Sequence, residues 1–142
     1  MNINNIKSMF RNEEQAHGYE TISDFLGIIN ITDEEQSTAL DIGCGKGKVL
    51  LEIKKIYPKI SLKGVEFDKE NIKYCSLAGI ETEAIDLECK KLPYETLSMD
   101  IVVCNHVLEH LKNIFNIVDE VQRILKPNGY FIIGVPNMGG MA

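Results

Sequence analysis

Apolar positions along the chain keep two alternating rhythms. Short runs of mixed β-branched and aliphatic residues, the length of a strand, recur between segments with a helical period. Thr38 to Ile42 reads as a strand. Gly47 to Tyr57 follows with Val49, Leu50, Ile53, Ile56 and Tyr57 on one helical face, and Pro58 stops it. Ile60 to Phe67 is a second strand, and Asp68 is placed to cap a helix reaching Ala78, with Gly79 suited to its C-terminal turn. A third strand is expected over Ile80 to Ile85, then a polar loop from Leu87 to Ser98 containing Pro93. Asp100 to Cys104 is a fourth strand. A helical pattern follows, with Val107, Leu108, Leu111, Ile114, Phe115, Val118, Val121 and Leu125 expected to face inward and a break near Asn113. Lys126 to Gly129 reads as a stop-and-turn and Tyr130 to Val135 as a fifth strand. Ahead of all this, Glu14 to Asn30 predicts a helix with Ile22, Phe25, Leu26 and Ile29 on one face.

Strands that alternate with helices imply right-handed crossovers and a mainly parallel sheet covered on both faces. The expected fold class is therefore α/β: a doubly wound sheet of about five strands in the order 3-2-1-4-5. Residues 1–35 are expected to form an N-terminal helical segment and residues 36–142 the core. In such sheets ligands bind at the carboxyl ends of the strands, where the strand order reverses.

Composition narrows the field. The 142 residues are 44% hydrophobic and 25% charged, as in an ordinary globular domain with one core. No apolar run reaches the ~18 residues of a membrane-spanning helix, and Met1 to Glu14 lacks the apolar stretch of a signal peptide. A cytoplasmic location is expected. Cys44, Cys75, Cys89 and Cys104 are scattered without a C-x-x-C pair, which favours reduced, mostly buried thiols over a disulfide or zinc framework. The net charge of −6 and the lack of any basic run beyond Lys54-Lys55 and Lys90-Lys91 disfavour a nucleic acid as partner.

The candidate chemistry starts at Asp41-Ile42-Gly43-Cys44-Gly45-Lys46-Gly47, between the first strand and the first long helix of the core. Glycines there allow a tight turn and a close approach of ligand to backbone. A G-x-G-x-G alone is a weak signal. Glu66, ending the next strand, strengthens it, because a carboxylate at that place can accept both hydroxyls of a ribose. A pyrophosphate would sit over the helix start, but Asp41 would repel it. A ligand with a ribose and a positive amine fits better, and S-adenosylmethionine has both, with no phosphate. A Walker loop is excluded, since Gly45-Lys46-Gly47-Lys48 lacks the G-x-x-x-x-G-K-[ST] pattern.

These residues carry a family resemblance. Ala39 to Gly47 resembles motif I of class I, Rossmann-like S-adenosylmethionine-dependent methyltransferases, and Gly64-Val65-Glu66-Phe67-Asp68 resembles motif II. Ile85-Asp86-Leu87 is similar to the third motif. Leu92-Pro93-Tyr94, Met99 to Val102 and Val107-Leu108-Glu109-His110-Leu111 are similar to the fourth region, and Arg123 to Tyr130 to the segment before strand five. The resemblance runs over about residues 38 to 137. It implies that Asp41, Gly43, Cys44 and Gly45 surround the methionine end of the cofactor and that Glu66 binds its ribose. It further implies that Phe67 packs beside the adenine, that Asp86 reaches the adenine amino group with the Leu87 backbone nearby, and that Asn105 lines the sulfonium region. Each has a plainer alternative: Phe67 as core, Asp86 as a turn cap, Asn105 as a strand-end turn residue.

His106-Val107-Leu108-Glu109-His110 also matches H-x-x-E-H, the inverted zinc-peptidase motif, and a helix would put both histidines on one face. That chemistry needs a third ligand and another fold, so no metal is expected. His106 and His110 are instead candidate general bases toward a methyl acceptor, or a surface pair bordering the pocket. His17 reads as an exposed residue at a helix start.

The acceptor expected is a small molecule, methylated at oxygen, nitrogen or carbon, because strand four does not end in N-P-P-[YF] and no Pro-Cys pair is present. The family resemblance also implies two further strands beyond the fifth. Their apparent absence leaves Phe131 to Val135 as an apolar edge, and a truncated or self-associating chain is expected. Two other functions stay open: a cofactor-binding module without turnover, and a nicotinamide-dependent oxidoreductase resting on Glu66 and the glycine loop.

Overall fold

The computed structural model describes residues 19–88 and 91–136. The expected helix start at Glu14, His17, Cys89, and everything expected of residues 137–142 lie outside these. The described chain runs α1 (Tyr19–Leu26), a 3-10 turn (Glu34–Gln36), β1 (Thr38–Ile42), α2 (Lys48–Ile56), β2 (Ser61–Val65), α3 (Lys69–Leu77) and β3 (Glu81–Glu83). It continues through β4 (Met99–Asn105), a second 3-10 turn (Leu108–His110), α4 (Ile114–Ile124) and β5 (Leu125–Gly134). All strand pairings are parallel, in the order β3-β2-β1-β4-β5. The order reverses between β1 and β4, which places the switch point beside the glycine loop.

Alternation along the strands sorts the core into two layers. Ala39, Ile101, Val103 and Ile132 face one side, where they meet Ile22 and Leu26 of α1, Leu50 and Ile53 of α2 and Cys75 of α3. Leu40, Ile42, Val102 and Cys104 face the other side and meet Ile117, Val121 and Ile124 of α4. Pro58 ends α2 as expected, and the Asp68 carboxylate caps α3 by accepting the amides of Glu70 (2.9 Å) and Asn71 (3.0 Å). Among the described residues no helix is long and apolar enough to cross a membrane.

Three local expectations need correction. Phe25 is not on the buried face of α1 but 43% exposed. On α4, Ile114, Phe115 and Val118 point outward, while Ile117 and Ile124 are buried. The break expected near Asn113 is real, but the segment before it is a 3-10 turn rather than α-helix, which shifts the phase of the apolar face. Lys126 to Gly129 does not precede the fifth strand. It bulges out of it: β4 advances from Met99 to Ile101 while β5 advances from Leu125 to Tyr130. Pro127 has no amide to donate, Asn128 takes a left-handed φ of 63°, and Lys126 Nζ donates to Asp100 Oδ2 at 2.8 Å across the bulge.

Candidate active site

Strand alternation puts Asp41 and Asn105 on the sheet face shared with Ala39, Ile101 and Val103, near the carboxyl ends of β1 and β4. The chain then leaves β1 through a loop with three glycines at positive φ: Gly43 (74°), Gly45 (54°) and Gly47 (79°). A cleft of about 280 Å³ opens there, near the lower end of the ~300–1,000 Å³ usual for small-molecule sites. It brings together Asp41, Gly43, Cys44, Gly45 and Asn105, all expected from the sequence. Lys46, Lys48, Val49 and Asn71 also line it and were not anticipated. The signal for Asn71 was available: it stands three residues beyond the Asp68 cap, in the first turn of a helix that starts at the same end of the sheet.

The loop is held from below and from the side. The amides of Gly43 and Cys44 both donate to Val65 O, at 2.8 and 3.0 Å. Glu66 Oε2 accepts the Gly45 amide at 2.8 Å, and Oε1 accepts the amides of Phe67 (2.7 Å) and Asp68 (2.9 Å). The carboxylate thus ties the glycine loop to the β2–α3 turn, a role that the sequence did not reveal. Gly64 keeps the neighbourhood tight, since a Cβ there would meet Cys44 Sγ at 2.6 Å.

Asp41 is 3% exposed. Burial, and secondarily the charge of Glu66, push its carboxyl up from 3.8 to about 8. Asn105 Oδ1 is buried without a hydrogen-bond partner among the described residues, packed against Gly134. A Cβ on Gly45 would meet nothing within 4 Å, so that side of the loop is open cradle. A buried carboxyl that an adjacent positive amine would ionise, an open glycine cradle and the half-buried Glu66 carboxylate bonded to it fit a ligand carrying a positive amine and a ribose.

The remaining candidates lie outside the lining of this cleft. Phe67 is 77% exposed, which rules out the core alternative. Asp86 is exposed and accepts the Glu88 amide at 3.0 Å, as a turn cap does. Leu87 is half-buried against the α4-side core. His106 follows β4 with a φ of 54°, and His110 ends the 3-10 turn, so no single α-helical face presents both. His106 Nδ1 lies 3.3 Å from Glu109 Oε1, and the described residues contain no group of three or more metal-ligating side chains. Cys44, Cys75 and Cys104 are buried, as expected.

A doubly wound parallel sheet with a glycine cradle at its switch point and an acidic residue ending the neighbouring strand defines a nucleoside-binding α/β domain. Comparison with known proteins makes the class specific. A family model described as a methyltransferase domain matches residues 40–133, and the chain belongs to that family of class I S-adenosylmethionine-dependent methyltransferases. A sterol 4-C-methyltransferase of Caenorhabditis elegans is 32% identical over 104 residues, 70% of this chain and 31% of the relative. A ubiquinone biosynthesis O-methyltransferase of Paracidovorax citrulli is 26% identical over 109 residues, 72% of this chain and 45% of the relative. The chain thus spans less than half the length of these relatives. Among solved structures, the YcgJ protein of Bacillus subtilis superposes with a TM-score of 0.66 at 24% identity, covering 81% of this chain and 50% of that one. A methyltransferase of Aquifex aeolicus gives 0.63 at 21%, covering 94% and 72%. Both likenesses concern the fold.

Proposed function

We propose that the cleft binds S-adenosylmethionine and that the protein containing this domain transfers its methyl group to a small-molecule acceptor. The observation that carries the reading is the buried Asp41 carboxyl at the floor of an open glycine cradle. The bound cofactor supplies an activated methyl group on a sulfonium, open to in-line displacement. The chain's own residues bind and orient. Asp41 receives the amine of the methionine moiety, and Gly43, Cys44 and Gly45 let the backbone approach it. Glu66 receives the ribose, exchanging part of its backbone bonding for the hydroxyls. Asn105 borders the sulfonium region, and Phe67, Asp86 and Leu87 form the adenine side at the ends of β2 and β3. Orientation of two reactants supplies ~7–11 kcal/mol in favourable cases, so little acid–base chemistry is required. Where an acceptor must lose a proton, His106 and His110 are the nearest candidates in sequence to the end of β4.

The acceptors named for the sterol and ubiquinone relatives support a small molecule, and the charge of −6 speaks against nucleic acid. The exposure of Ile133 on the outer strand and of Val135 just beyond its end, 44% and 58%, supports association through that edge. The test of the cofactor is competition. S-adenosylhomocysteine should raise the melting temperature and NAD should not displace it. Stabilisation by NAD alone would turn the reading toward an oxidoreductase. Failure to transfer labelled methyl to any acceptor, with S-adenosylhomocysteine still bound, would favour a binding module.

A further inference from the structure

We infer that Cys44 and Cys75 form a reversible disulfide that disables the cofactor loop, so that the glycine cradle carries its own redox-sensitive modification site. The inference rests on the reading of the cleft as a cofactor site. Cys44 is the middle residue of Gly43-Cys44-Gly45 and lines the cleft. Cys75 sits in the last turn of α3, directly beneath it, and the two sulfurs lie 3.8 Å apart in the buried interior. The other described cysteine, Cys104, belongs to the opposite core layer. Thus 31 residues of separation, across all of α2, β2 and most of α3, end in a sulfur–sulfur contact at the loop the ligand must touch.

Bond formation changes that loop in two ways. A disulfide requires the sulfurs at ~2.05 Å, so one must move toward the other. Cys44 Sγ is confined by Gly64, and its backbone is fastened to Val65 O, so the displacement is transmitted to Gly43 and Gly45. The second change is chemical. In the reduced chain Cys75 Sγ donates to Gly45 O at 3.2 Å, and Cys44 Sγ lies 3.8 Å from the same carbonyl. The disulfide has no S–H, so Gly45 O loses its donors just as the loop is pulled. Gly45 is also the residue whose amide binds Glu66. Oxidation therefore acts on the methionine and ribose sides of the cradle together.

The oxidant is a low-molecular-weight disulfide entering the cleft. The Cys44 thiolate attacks one sulfur, forming a mixed disulfide and releasing one small thiol. The Cys75 thiolate then attacks Cys44 Sγ, forming the internal disulfide and releasing the second. Two protein thiols are oxidised, one small disulfide is reduced to two thiols, and the two protein protons pass to the leaving thiolates. Burial raises the Cys44 thiol well above its ordinary value, so exchange is slow at neutral pH and accelerates in alkali. A ligand filling the cleft shields Cys44.

The experiment treats the folded chain with hydroxyethyl disulfide, with and without saturating S-adenosylhomocysteine, and maps the products by peptide mass. The expected result is a Cys44–Cys75 crosslink that forms more slowly in the presence of ligand. The adduct-free crosslinked fraction should bind S-adenosylhomocysteine at least about tenfold more weakly than the reduced chain, and dithiothreitol should restore the affinity. Cys75→Ser keeps a donor for Gly45 O and should give only a mixed disulfide at Cys44. A map without the crosslink, or a crosslinked chain of unchanged affinity, overturns the inference. Peptide mapping does not depend on the ligand. A crosslink in a chain that binds no S-adenosylhomocysteine even when reduced would therefore refute the cofactor reading, and with it the proposed consequence of oxidation.

Discussion

Glu66 Oε2 accepts the amide of Gly45 at 2.8 Å, so the acidic end of β2 is part of the scaffold of the glycine loop as well as a candidate ribose ligand. With Phe67 N and Asp68 N on its other oxygen, one carboxylate satisfies three amides. Glu66→Ala should therefore lower stability by ~1–2 kcal/mol, measured by urea unfolding. Glu66→Gln, which keeps one acceptor oxygen, should lose less. Equal stability of all three proteins would mean that these bonds only replace water.

Asp41 predicts a conflict between stability and binding. Its carboxyl titrates near 8 in the folded chain against 3.8 ordinarily. Between those values the folded chain keeps a proton that the unfolded chain gives up. Stability is unaffected below the unfolded value and falls as the pH rises toward the folded one, by ~1.4 kcal/mol per unit at most. Asp41→Asn should thus melt higher than the wild type by a margin that grows between about pH 5 and about pH 8. The same variant should bind S-adenosylhomocysteine much more weakly, because the partner for its amine is gone.

Gly134 and Asn105 form a size constraint. A Cβ at position 134 would overlap Asn105 Oδ1, so Gly134→Ala must push the Asn105 side chain out of place. Overpacking of this kind costs ~1–3 kcal/mol. Thermal unfolding should record the loss, and calorimetry a weaker ligand affinity. Gly134→Ala combined with Asn105→Gly should recover the stability but not the affinity.

Arg123 clamps the loop before β4. Its guanidinium donates to both carboxylate oxygens of Glu120 (3.0 and 2.8 Å), to Tyr94 O (2.7 Å) and to Leu92 O (3.0 Å), while Glu120 Oε2 accepts the Leu92 amide at 2.8 Å. The Arg123 hydrogen bond holds the Glu120 carboxyl below its usual range, so this contribution is present above the unfolded value and is lost as pH falls through the folded one. Arg123→Ala strands a buried carboxylate and should destabilise the chain by ~3 kcal/mol at neutral pH. Arg123→Lys should not rescue it, because an ammonium cannot make the same forked contacts. Urea denaturation of the two variants checks both statements.

The architecture was legible because its markers are local. Glycine at positive φ, Pro58, Asp68 and two clean periodicities fix where β1, α2, β2 and α3 begin and end, and the strand–helix alternation fixes the parallel sheet. The errors arose where geometry departs from one period. The 3-10 turn at Leu108–His110 rotates the apolar face of α4, which exposes Phe115 and buries Ile117. The bulge at Lys126 to Gly129 hides the start of β5. In the site, Asp41, Gly43, Cys44 and Gly45 were readable, because β1 and the loop that follows it carry them together. The backbone bonds of Glu66 and the meeting of Cys44 with Cys75 were not, because each depends on how segments distant in the chain meet in the fold, a contact that no linear spacing encodes.

Cofactor binding at this cleft is tested by calorimetric titration of the folded chain with S-adenosylhomocysteine, alongside Glu66→Gln confirmed as folded by circular dichroism. The wild type should show saturable one-to-one binding, and the variant an affinity reduced at least about tenfold. A folded wild type that binds no S-adenosylhomocysteine, or a variant that binds it equally well, would contradict the assignment of this cleft.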